Sequence, residues 1–114
     1  MNKILVLMIV IMLSACTATT PQSELNDTMT EMIALIDQGK GQDLLKNHVD
    51  LSDLHGPLPR IPDDKLKRIK VFLLKAKKMN PKFKKNNTLA VYRDSSFFKP
   101  LRFKKINGKW LLMN

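Results

Sequence analysis

This sequence predicts an α+β fold, with three helices packed on a curved antiparallel sheet of three to four strands that ends in a hairpin. Three observations carry the prediction. Apolar residues recur with a helical period as far as Met79, and the period changes to alternation after Pro81. Near the end, Asn107-Gly108 supplies the dipeptide of a type I′ turn, which needs positive φ at both central residues.

The chain has 114 residues and opens with the basic segment Met1-Asn2-Lys3, followed by ten consecutive apolar residues at positions 4–13. A membrane-spanning helix needs about twenty apolar residues. A positive start followed by a short apolar run describes a secretory leader instead. Leu13-Ser14-Ala15-Cys16 follows and resembles the lipobox of bacterial lipoproteins. That resemblance implies cleavage before Cys16, a diacylglycerol thioether on its sulfur, and attachment to a membrane. Cys16 is the only cysteine, so no disulfide is expected, and a lone exported thiol would otherwise lack a partner. Two or more acyl chains make such anchoring stable, whereas one gives marginal binding. Thr17 does not resemble the aspartate that retains lipoproteins at an inner membrane. The expected address is therefore the cell envelope, the periplasmic side of the outer membrane if the cell is Gram-negative. The domain plan is a leader at 1–15, a lipidated polar tether at 16–22, and a single domain at 23–114.

The first helix is expected over residues 23–38, where Leu25, Met29, Met32, Ile33 and Ile36 return to one face. Ser23 is its candidate N-cap, Glu24 lies in its first turn, and Gly39 ends it. A shorter helix over 42–48 contributes Leu44 and Leu45, and an irregular stretch with three prolines and a glycine fills 49–62. The third helix starts after Pro62-Asp63-Asp64, whose acids suit the positive helix end, and stops before Asn80-Pro81. Leu66, Ile69, Phe72, Leu73, Ala76 and Met79 gather on one arc, with Lys67, Arg68, Lys70, Lys75, Lys77 and Lys78 on the other. Val71 and Leu74 interrupt the basic arc, so the far side is not expected to be purely solvated. Strands follow at 88–93, 97–106 and 109–113, with a further one at 82–85. Pro100 suits an edge or a bulge. A two-residue turn pairs Ile106 with Lys109, which puts Phe103, Lys105, Trp110 and Leu112 on one face and lays the Lys105 stem across the indole.

The order of elements, with the ending Phe103-Lys104-Lys105-Ile106-Asn107-Gly108-Lys109-Trp110, resembles the nuclear-transport-factor-2-like superfamily. Within it, the chain is similar to small bacterial lipoproteins of unknown function whose last hairpin carries Gly-Lys-Trp. The resemblance implies a cone-shaped domain over nearly all of the mature chain. Its interior serves catalysis, ligand binding or packing in different members, so the fold does not select a function.

Charge is the strongest remaining signal. The formal net charge is +10, and loss of Lys3 with the leader leaves +9. Residues 17–54 hold seven acids against two bases, and residues 55–114 hold seventeen bases against three acids. Such polarity speaks to partners rather than fold. At an envelope the available anions are lipid head groups, lipopolysaccharide phosphates and cell-wall polymers, with an envelope protein as a further partner. Lys75, Lys77, Lys78, Lys82, Lys84 and Lys85 form the densest cluster and are the candidate anion-binding residues. Basic and aromatic residues interleave at 97–105 as nucleic-acid surfaces require, but export argues against that partner. The bland alternative is a lysine-rich solvated surface partly neutralised by the acidic first helix.

Ligand-type side chains concentrate only at His48, Asp50, Asp53 and His55. Zinc accepts nitrogen and oxygen ligands, but this spacing matches no metal motif, and aspartate and serine here read as caps and turn formers. Ser52, Asp53 and His55 are hydrolytic residue types without a nucleophile elbow or a glycine-rich oxyanion segment. The sequence therefore favours a non-enzymatic binding module without a cofactor. The alternatives are a small-ligand carrier using the cone interior and a metal-dependent or hydrolytic enzyme centred on His48 and His55.

Overall fold

The computed structural model describes residues 20–113. The leader, Cys16 and most of the tether lie outside the described residues. The chain forms helices α1 (Pro21–Asp37), α2 (Gly41–His48) and α3 (Asp63–Ala76), then strands β1 (Lys82–Lys84), β2 (Leu89–Tyr92), β3 (Leu101–Ile106) and β4 (Lys109–Leu112). The strands form one open antiparallel sheet in the order β1-β2-β3-β4. The fold is thus α+β, three helices followed by a four-stranded antiparallel sheet that ends in a hairpin.

Helix α1 starts earlier than Ser23. Thr20 is the N-cap, and its Oγ1 accepts from the Ser23 amide at 3.1 Å. Pro21 opens the helix where its missing N–H leaves no donor unpaired, so Pro21 and Gln22 belong to the helix and not to the tether. The helix ends in a Schellman motif, with the Gly39 amide donating to Ile36 and the Lys40 amide to Leu35. Gly39 has φ +72 there, the left-handed conformation this cap requires. Gly41 opens α2 beside α3, where a Cβ would stand 3.3 Å from Leu66 Cδ1.

The strand expected from Phe97 begins only at Leu101. Asp94 accepts from the Ser96 amide at 2.9 Å and the Phe97 amide bonds the Asp94 carbonyl, so a tight turn holds the backbone that would have paired. Pro100 has no donor for the ladder and sits immediately before β3, an interior strand, rather than within an edge or bulge. Phe97 packs edge-on against Phe72 of α3, with centroids 5.3 Å apart. Val71 and Leu74, expected to interrupt the solvated side of α3, are 60% and 44% exposed.

The core lies between the helices and the inner face of the sheet. Leu25, Met29 and Met32 of α1, Leu73 of α3, and Tyr92 and Phe103 of the sheet are all fully enclosed, with Trp110 nearly so. Phe83, Ala90, Phe103 and Leu112 stand side by side across the inner face. The small Ala90 is fully buried within this row, and the Trp110 ring lies 6.3 Å from that of Phe83, although their strands are the two sheet edges. At its rim Lys105 stands 5.7 Å from the centre of the Trp110 ring and donates to Glu24 of α1 at 3.2 Å. The expected hairpin register, Lys105 opposite Trp110 and Ile106 opposite Lys109, is the one observed.

Burial pushes the Tyr92 phenol up to about 12, and among the described residues its hydroxyl has no hydrogen-bond partner. An unpaired buried hydroxyl costs stability, and replacing it by hydrogen removes that cost. Tyr92→Phe is therefore expected to leave the unfolding free energy unchanged or raise it by up to about 1 kcal/mol. Urea denaturation checks this, and a loss of that size would mean that the hydroxyl is bonded in solution.

Candidate functional site

Alternation along the strands decides which side chains share a face. With Phe83, Ala90, Tyr92, Phe103, Trp110 and Leu112 turned inward, the outer face must receive the residues between them. These form two mixed rows in register. Lys84, Leu89, Lys104 and Leu111 make one, and Lys82, Val91 and Arg102 make the next. Lys109, paired with Ile106, adds a fifth base to the same face. No acidic residue occurs in any of the four strands. Val91 is only 3% exposed yet stands apart from the main core, as expected of an apolar residue flanked by the long stems of Lys82 and Arg102.

The six lysines singled out in the sequence are dispersed. Lys75 is engaged, its Nζ 2.8 Å from Asp94 Oδ2 and bonded to Ser96 Oγ. Lys77 is half-buried just past α3, while Lys78 is exposed. Lys82 and Lys84 lie on the outer sheet face. Lys85 leaves it, because its φ of +53 begins the turn to β2. Arg102, Lys104 and Lys109, which the sequence cluster omitted, take the remaining places. The ion pairs among the described residues are Lys70–Asp37, Lys75–Asp94, Lys105–Glu24 and the looser His48–Glu31, and none involves the five outer-face bases. The Lys75 ammonium, with Ser96 beside it, holds the Asp94 carboxyl well below the usual carboxylate range.

His48, Asp50, Asp53 and His55 are not brought together as a ligand set. Among the described residues no group of three or more His, Cys, Asp or Glu side chains is placed to hold a metal ion. His48 is buried at the end of α2, its Nε2 3.6 Å from Glu31, and His55 is exposed in the following loop. Asp50 accepts from the Ser52 amide, the local turn role its residue type suggests.

Among the described residues, two depressions bear on the site. One, of about 410 Å³, is lined by α2, the 49–62 loop, the start of α3 and the end of β4. Leu45, Val49, Leu51, Ile61 and Ile69 make it mainly apolar, and Asp50 and Asp53 balance Arg60 and Lys65 in charge. It is not the space between α1, α3 and the sheet, where the interior is filled by packed side chains. The other, also about 410 Å³, opens beside Arg93, Phe98 and Lys99. Among the described residues no helix is long and apolar enough to cross a membrane. Comparison with protein-family models, with curated proteins and with solved structures found no match.

His48 offers a test of this geometry. Burial holds its imidazole below the ordinary value of 6.5, nearby Lys109 acts in the same direction, and Glu31 opposes them. The folded state thus disfavours the proton that the unfolded chain accepts. The stability contributed by neutral His48 is complete above pH 6.5 and is lost as pH falls from there toward the depressed value, with a slope of at most about 1.4 kcal/mol per pH unit. Thermal unfolding should show the midpoint falling between pH 7.5 and pH 5, with a flatter profile in His48→Gln. Equal slopes in the two proteins would remove the assignment.

Proposed function

We propose that this chain is a lipid-anchored envelope protein whose domain binds, without catalysing a reaction, an anionic component of the envelope through the outer face of its sheet. The supporting observation is the five-base face of Lys82, Lys84, Arg102, Lys104 and Lys109, which has no acidic member and takes part in no ion pair among the described residues. A merely solvated lysine surface would intersperse both signs. Here the acids of residues 17–54 lie on α1, α2 and the loop that follows α2, and none of them pairs with the five bases. The anchor rests on the leader and Cys16 as read in the sequence, and its acyl chains would keep the domain within reach of head groups and wall polymers.

The apolar residues between the bases, Leu89, Val91 and Leu111, give the face a checkerboard character that favours a chain-like polyanion over a small ion. Each basic side chain near an anionic surface contributes about 1 kcal/mol, decaying over a Debye length of about 10 Å at 0.1 M salt. The combined substitution Lys84→Gln, Arg102→Gln, Lys104→Gln should therefore weaken binding to isolated cell-wall polymer or lipopolysaccharide by roughly a hundredfold in low salt. Co-sedimentation measures this, and His48→Gln serves as a control that leaves the face intact. Binding unchanged in the triple variant, or insensitive to salt in the unaltered protein, would overturn the reading. Mass spectrometry of the native polypeptide checks the anchor: a diacylglycerol adduct at Cys16 and no leader are expected.

A further inference from the structure

Among the described residues four large apolar side chains are exposed. Leu54, the least exposed at 38%, lies in the 49–62 loop, and the other three lie on α3 or on a loop fastened to it. Phe98 is 98% exposed, Val71 60% and Leu74 44%. At 100° per residue, Val71 and Leu74 fall on the arc of α3 that also holds Lys67 and Lys75, and exposed Lys78 follows in the turn beyond the helix. This arc is opposite the one that carries Leu66, Leu73 and Ala76 into the core. Phe98 comes from a different part of the chain, yet its loop is fastened to the same helix. Lys75 of α3 holds Asp94 and Ser96, and Phe97 packs on Phe72. Phe98 is flanked by Lys99, and the open depression beside it is bordered by Arg93. Asp94, the acid at that depression, is already neutralised by Lys75.

The chain enters the domain at this same end. Gln22, in the first turn of α1, donates to Asn80 Oδ1 at 2.9 Å and toward the Met79 carbonyl at 3.5 Å. Met79 and Asn80 lie three and four residues beyond Ala76, the last residue of α3, which follows Lys75 directly. Thr20 is only four residues from Cys16, a span of at most about 14 Å. A lipid on Cys16 would therefore hold the head-group region against the C-terminal end of α3 and the loop that bears Phe98.

We propose that the exposed arc of α3 and the Phe98 loop dock on the anionic bilayer that holds the anchor, with Phe98 inserted among the head groups and Lys78, Arg93 and Lys99 on lipid phosphates. The proposal rests on the lipid anchor of the preceding section and adds to it the orientation of the domain. Aromatic side chains favour the membrane interface, and a basic patch is the second signal that makes lipid anchoring persistent. Helix α3 packs mainly on α1 and sends Leu66, Leu73 and Ala76 into the shared core, so its exposed arc is a surface separate from the basic sheet face. Docking through α3 thus does not use the bases of the sheet.

The test uses the lipidated chain reconstituted into phosphatidylglycerol vesicles that contain brominated phospholipid, with Phe98→Trp as the probe. Trp110 is the sole tryptophan and is 2% exposed, so the unaltered protein supplies an unquenched baseline. In Phe98→Trp the added emission should shift to the blue and be quenched by bromine. Quenching should fall in phosphatidylcholine vesicles, in 1 M salt, and in Phe98→Trp carrying Lys78→Glu and Lys99→Glu. An anchored protein whose added indole stays red and unquenched in anionic vesicles overturns the docking and leaves the binding role of the sheet standing. A blue-shifted but unquenched indole means burial against protein and likewise overturns it. A chain without lipid on Cys16, unable to float with vesicles, overturns the anchor and the docking together.

Discussion

Everything on the surface of this domain is set by what its sheet must hide. Tyr92, Phe103 and Trp110 each withdraw about 150–250 Å² from water, and at about 25 cal/mol per Å² this outweighs the exposed ion pairs, worth about 0–1 kcal/mol each. Because successive side chains in a strand point to opposite faces, turning those rings inward leaves no freedom for the residues between them. Arg102, Lys104 and Lys109 face outward for that reason, and the antiparallel register then sets Lys82 and Lys84 in line with them. A one-residue slip would bury the charges and expose the aromatics. The core therefore fixes the position of the bases without any contact to them.

Lys105 marks the boundary of that rule. It is the base that the alternation turns inward, and it is tolerated because it stands at the rim of the core, against the Trp110 ring and within reach of Glu24. The same pairing uses one of the acids of α1. Lys70 takes Asp37 in a similar way, again between helix surfaces or at the helix–sheet seam. Acid and base from the two halves of the chain thus meet where the layers join, and the outer sheet face keeps its full charge. The overall excess of bases understates the local field there.

Much of this was legible before any coordinates. The period change after Pro81, the Asn107-Gly108 turn and the hairpin register follow from local chemistry, because each depends on residues adjacent in sequence or directly opposed across two residues. What was not legible depended on competition. Ser23 resembles a cap, yet Thr20 with Pro21 extends the helix by a turn's beginning, since a proline at the first position leaves no donor unpaired. Phe97 and Phe98 read as strand, but Asp94 captures the Ser96 amide before a ladder can form. The lysine cluster was gathered by proximity along the chain, whereas its members separate according to the element each occupies. Lys104 and Lys109 were implicit in the hairpin register, as the complement of the face assigned to Phe103 and Trp110. Joining them to Lys82 and Lys84 required the pairing of β1 with β2 and of β2 with β3, which no single segment encodes.

The two layers also divide the labour of the surface. A helix has only one arc to give to the core, and a sheet only one face, so the free arc of α3 and the free face of the sheet are separate surfaces. They differ in character as well. The sheet face sets its apolar side chains between long bases that shield them, as the near-complete burial of Val91 shows, and so it meets water mainly through charge. The arc of α3 and the Phe98 loop leave apolar side chains uncovered beside their bases, an arrangement whose cost in water is relieved only by a partly apolar surface. Two basic surfaces on one small domain are thus physically unlike. One suits a hydrated polyanion, and the other an interface where charge and hydrocarbon lie within a few ångströms of each other, as they do at the head groups of a bilayer.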